Sequence, residues 1–186
     1  MNKQNFFAKV SSKNQKRALL FSGILSLVLV VVLSVVDNPL KTTSAPNGIV
    51  SFELAGSFER AAAILNSWDA EAEKYAAFSL GLDFLFLFAY SIFFALVILK
   101  LSEAHGTKTN SFSRTGVPIA YLQFAAAFFD AAENVCLINL LFGSQNPSLA
   151  VFAFYFSSVK FGLIALGVLF IVSASVALIA KKTKTR

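Results

Sequence analysis

The chain has one cysteine, Cys136, and one histidine, His105. A lone cysteine excludes an intrachain disulfide framework and dithiol redox chemistry. A lone histidine excludes a haem held by two protein imidazoles, and the pair is too few for a zinc-finger site. No cofactor and no metal centre is expected. Charge is also scarce: 14% of the 186 residues are Asp, Glu, Lys or Arg, against about 25% in an ordinary soluble domain. Such a chain cannot coat a water-facing surface. Apolar residues dominate instead, at 56% with 21 phenylalanines. These proportions describe a membrane protein.

A helix crosses the hydrocarbon core with about 20 predominantly apolar residues. Four stretches qualify: 18–36 without charge, 76–101 with Asp83, 117–142 with Asp130 and Glu133, and 149–180 with Lys160. No ten-residue alternation recurs, which argues against a membrane β-barrel. Short connections between the later spans predict an all-α, four-transmembrane-helix antiparallel bundle forming one domain over the whole chain.

Charge sets the expected direction. The segments 1–17, 102–116 with Lys100 at its edge, and 181–186 together hold 12 of the 16 basic residues. Residues 37–75 carry six acids against three bases. The positive-inside rule then places both termini in the cytoplasm and 37–75 outside, in a cell membrane such as the bacterial inner membrane. Topology accounts for the net charge of +6, so nucleic acid is not an expected partner. Membrane lipids are, with the tail Lys181-Lys182-Thr183-Lys184-Thr185-Arg186 against anionic headgroups. A second copy or another membrane protein is a further option. The first span reads as an uncleaved anchor, because its 19-residue run exceeds an ordinary signal-peptide core and no A-x-A site follows. Cleavage would leave three spans and an outer N-terminus.

Pro39, Pro46 and Gly48 mark a loop. Leu54, Phe58, Ala61, Leu65 and Trp68 then recur at helical spacing, which predicts an amphipathic helix over about 51–66. Ser51 would cap it and Glu53 would occupy its polar face. Such a helix can lie in the headgroup plane with Trp68 at the interface, the favoured reading, or fold down as a lid over the bundle. Ser67, followed by Asp69 and Glu71, resembles the cap of the next helix.

Four ionisable residues stand inside the spans, where each costs about 2.5–3.5 kcal/mol on insertion scales and is expected to face the bundle interior. Counted from the cytoplasmic helix ends at 1.5 Å per residue, Asp83 lies about 25 Å up, Asp130 about 20 Å, Glu133 about 24 Å and Lys160 about 31 Å. Three helices thus deliver charge at similar depth in the outer half. Asp130, Glu133 and Asn134 share one helix face by their i, i+3, i+4 spacing. Tyr90 stands seven residues from Asp83, so both can point inward, and Gln123 can extend the polar track. The expected core is Asp83, Glu133, Asn134 and Lys160, with Asp130 and Tyr90 at its margin. Three acids against one lysine favour a site for a cation, a proton or the polar head of a lipid-like ligand. The alternative is an internal network that only fixes helix packing, and an intramembrane enzyme is a third reading.

Other residues invite less. Gly81-Leu82-Asp83 with Asp130 suggests paired catalytic aspartates, but the second glycine of G-x-G-D is missing. His105, Lys108 and Arg114 belong to a polar loop and are expected to be solvated or near headgroups. Cys136 reads as a small buried hydrophobe, and Gly162, Ala165 and Gly167 as helix-packing residues.

The pattern Gly81-Leu82-Asp83-Phe84 with Tyr90, then Asp130-x-x-Glu133-Asn134, then Lys160-Phe161, resembles a group of small bacterial four-helix membrane proteins without an assigned activity. The likeness covers roughly residues 76–165 and implies the bundle and the polar set, with no function attached. Four-helix sterol-binding proteins of the sigma-2 receptor type also use buried carboxylates, a similarity of architecture alone.

Overall fold

The computed structural model describes residues 12–106 and 110–184. Every regular element among these residues is helical. The α-helices are α1 (Ser12–Val36), α2 (Ile49–Glu53), α3 (Phe58–Leu65), α4 (Ala70–Ala104), α5 (Ser111–Leu141) and α6 (Ser148–Lys184), with a 3-10 turn at Asn38–Leu40. Among the described residues, α1, α4, α5 and α6 are long and apolar enough to cross a membrane. They alternate in direction, because short connections join α4 to α5 and α5 to α6, and because Lys100 near the end of α4 meets Gln15 near the start of α1. The result is an all-α antiparallel bundle. The largest interfaces are α5 with α6 and α4 with α5, while α1 packs chiefly on α4.

The long helices outrun their apolar stretches because capped polar flanks continue the hydrogen-bond ladder. Asp69 Oδ1 accepts from the Glu71 and Ala72 amides at 3.1 and 2.8 Å, so Asp69 caps α4 in place of the expected Ser67. The Ser67 hydroxyl instead donates to the Ile64 carbonyl and lies 2.7 Å from the Thr42 hydroxyl. At the opposite end of α4, His105 is buried, not solvated. Its Nε2 lies 3.0 Å from the Ala174 carbonyl and its ring stacks on Phe112 at 4.6 Å. His105 is the C-cap of α4 and sits wedged against α5 and α6. Arg114 is exposed, as expected, and Lys108 lies outside the described residues.

The segment 37–68 departs most from expectation. The single amphipathic helix over 51–66 is two helices broken at 54–57. Gly56 adopts φ +73°, and the extended Ser57 restarts the helix by accepting the Arg60 amide at 3.3 Å. Ser51 caps no helix; it sits within α2 and accepts the Asn47 amide at 2.9 Å. The segment also does not lie flat. Leu40, Phe52, Ala61, Ile64 and Trp68 share one apolar core with Leu80, Leu137, Leu140 and Ala153 of the long helices. Trp68, expected at an interface, is only 5% exposed. Its indole N–H donates to the Leu40 carbonyl at 2.9 Å, and its ring meets Phe52 edge-on at 5.4 Å. Burial of these large side chains, each contributing about 1.5–3 kcal/mol, favours the lid over the interfacial arrangement.

Candidate functional site

The lid changes the composition of the polar core. Lys160, projecting from α6, is 5% exposed and meets three carboxylates. Its Nζ lies 2.9 Å from Asp130 Oδ1, 2.8 Å from Glu133 Oε2 and 3.4 Å from Glu53 Oε2. Asp130 and Glu133 converge because three residues along α5 return to the same face. Glu53 arrives from α2, which the Gly48 and Gly56 turns bracket and tip into the bundle. The Ser157 hydroxyl, one turn before Lys160, is 3.4 Å from the same Glu53 oxygen.

Asp130 is central, not marginal. Besides Lys160 it accepts the Tyr90 hydroxyl at 2.9 Å, so α4, α5 and α6 are tied through one carboxylate. Asp83 is the marginal member. It is half-buried, makes no direct contact with Lys160, and accepts Asn134 Nδ2 at 2.7 Å. Among the expected set, then, Tyr90, Asp130, Glu133 and Lys160 form one connected group, and Asp83 with Asn134 forms a second group beside it. Gln123 does not extend the track. It is fully buried, and its amide N–H groups donate to the Ile119 and Leu163 carbonyls at 3.3 and 3.2 Å, which fastens α5 to α6.

Glu133 is 0% exposed, and apart from the Lys160 ion contact no N–H or hydroxyl reaches it among the described residues. Glu53 and Glu133 approach the same ammonium, at 3.4 and 2.8 Å, so the two carboxyls are neighbours. A proton on Glu53 would supply the donor that Glu133 lacks. Burial pushes the Glu53 carboxyl above the ordinary range, the Lys160 ammonium pulls it down and the Asp130 charge pushes it up again, with burial the largest effect. The sequence hid Glu53 because the apolar stripe that begins at Leu54 assigns it to a polar face. A usable signal was present: Ile49-Val50-Ser51-Phe52-Glu53-Leu54-Ala55 is an apolar run between glycines, and an acid inside it is as anomalous as one inside a span.

A cleft of about 190 Å³ opens beside this group at the lid end of the bundle. Asp37, Glu53, Asp83 and Asn134 contribute its polar wall, and Leu33, Ile49, Val50 and Leu80 its apolar one. Asp37 is partly engaged, accepting the Ile49 amide at 2.7 Å. No group of three or more His, Cys, Asp or Glu side chains among the described residues is arranged to hold a metal ion; an ammonium occupies the point where the buried carboxylates converge.

No protein-family model matches the chain, and comparisons with curated proteins and with solved structures return no similar protein.

Proposed function

We propose that the protein is a multi-pass membrane protein that binds a small organic cation, a protonated amine, in the cleft at the lid end. The observation that carries this reading is the local charge imbalance. Asp37, Glu53 and Asp83 line one cleft; Lys160 already faces Glu53, Asp130 and Glu133 and the exposed Lys41 reaches Asp37 at 3.9 Å, so among the described residues Asp83 is the acid of the cleft that no cation meets. An ammonium head would answer the acids, and a short hydrocarbon tail would lie on Leu33, Val50 and Leu80. Asp83 and Glu53 are the recognising carboxylates, and Asn134 orients Asp83. In this reading the basic segments face the cytoplasm of a bacterial cell and the cleft opens outward.

A second reading is favoured by the closed geometry around Lys160: an assembly protein whose polar residues only fix helix packing. Thermal unfolding of detergent-purified protein in the presence of short primary amines separates the two. Binding to the folded state raises the melting temperature saturably. Asp83→Asn, which keeps shape and removes charge at a half-buried position, abolishes that rise while leaving the unliganded melting temperature nearly unchanged. If amines do not shift the wild type, the cleft is scaffold and the second reading stands.

A further inference from the structure

A groove of about 860 Å³ runs between α1 and α4, away from the lid. Its walls are almost wholly apolar, with Leu20, Ile24 and Leu27 from α1 facing Phe86, Phe93 and Phe94 from α4. Its volume falls within the roughly 300–1,000 Å³ of pockets that engulf small ligands. The α1 wall is thinly held, since that helix packs chiefly on α4 and leaves Leu20 and Leu27 exposed.

Charge at one end of the groove identifies the occupant. Lys16, in the second turn of α1, and Lys100, in the penultimate turn of α4, both line it. The antiparallel arrangement brings them to the same mouth, on the side of the bundle where α1 begins and α6 ends. Among the described residues no acid lines the groove; Lys100 donates to the neutral Gln15 amide oxygen at 3.4 Å. Two like charges at the mouth of an apolar trough call for an anion with a hydrocarbon body.

We propose that the groove holds one anionic phospholipid, with its phosphate between Lys16 and Lys100 and an acyl chain laid along Phe93 and Phe94 toward Tyr90. Tyr90 lines the inner part of the groove and donates its hydroxyl to Asp130, so the lipid rests on a side chain that braces the buried ion group. The lysine mouth of the groove lies at the other end of the bundle from the amine cleft.

The test is electron paramagnetic resonance of spin-labelled phosphatidylglycerol and phosphatidylcholine, with the full chain reconstituted in phosphatidylcholine nanodiscs. The wild type immobilises one phosphatidylglycerol per chain with a preference of about thirtyfold over phosphatidylcholine, the scale set by two lysines near a membrane surface. The double variant Lys16→Gln/Lys100→Gln brings the two lipids close to parity. Leu27→Trp, at a position 67% exposed, fills the groove and removes the immobilised lipid although both lysines remain. Equal immobilisation of both lipids by the wild type overturns the proposal. So does retained preference in the lysine variant, or retained lipid in Leu27→Trp, which would assign the lipid to the basic terminal segment instead.

Discussion

Replacing Lys160 with methionine tests the buried group most directly. Methionine keeps an unbranched apolar stem, one atom shorter, and removes the ammonium, with its contacts at 2.8, 2.9 and 3.4 Å. Asp130 keeps the Tyr90 hydroxyl, but Glu133 loses the one cation that reaches it. Deleting one partner of a buried pair costs about 3–5 kcal/mol, mostly because the other charge stays buried and unanswered. Against a total stability of about 5–15 kcal/mol for a typical domain, this is a severe loss. Glu53 also loses its anchor, so the lid loosens with the core. The assay is denaturation of the purified protein in micelles, followed by far-UV circular dichroism for the helices and by Trp68 emission for the lid. Adding Glu133→Gln to Lys160→Met removes the stranded charge and restores about 0.5–3 kcal/mol, the usual coupling between contacting residues. A Lys160→Met variant within about 1 kcal/mol of wild type would give these contacts only the weight of a surface pair, and the account of the core would fail.

Two further outcomes concern the lid. The Glu53 carboxyl is raised above its ordinary value of 4.5 by burial, so the folded state binds its proton more tightly than the unfolded one. The sign follows from linkage: this contribution is complete below about pH 4.5 and is lost as pH rises through the elevated value. Trp68 emission during denaturation should therefore show a lid that weakens with rising pH, and Glu53→Gln should flatten the profile. Gly48 has φ +55°, and an added Cβ would strike the Asp37 carboxylate. Gly48→Ala should cost about 1–3 kcal/mol through the backbone alone, and should speed hydrogen exchange at the Ile49 amide that Asp37 now accepts. Unchanged exchange there would show that the turn does not hold α2 in place.

Composition and span length made the bundle legible, because a 35-residue helix such as α4 cannot hide in a chain with so little charge. Helical spacing likewise placed Asp130, Glu133 and Asn134 on one face, and the structure joins that face to Lys160 and Tyr90. What periodicity could not give was depth around each helix axis. Asp83 and Asp130 count to similar heights, yet one faces the cleft and the other the centre. The single interfacial helix over 51–66 failed for a different reason. Its stripe from Leu54 to Trp68 fits one amphipathic helix, but two glycines at positive φ break the chain on either side of α2. Tertiary burial of Phe52 and Trp68 then outweighed the amphipathic preference for a surface. His105 was misplaced because a loop of polar residues reads as solvated, although the wedge between the end of α4, the start of α5 and the flank of α6 can bury one ring.

Glu53 belongs to both parts of the site, and this gives the lid a role beyond covering the core. One of its oxygens faces Lys160 and Ser157, while its side chain also lines the cleft. A protonated amine in the cleft would compete with Lys160 for that carboxylate and would favour its ionised form. An ionised Glu53 could not donate to Glu133, and Glu133 would depend on Lys160 alone. Binding would thus draw Lys160 toward α5 and relax its hold on α2. Under the proposed function, amine binding and lid docking are therefore coupled through one side chain, and the coupling must be reciprocal. Amines should quench or shift Trp68 emission in the wild type at concentrations that raise its melting temperature. In Glu53→Gln the cleft keeps Asp83, so amines should still stabilise the fold while the Trp68 response disappears. A Trp68 response that survives Glu53→Gln would mean that the lid senses the cleft by another route.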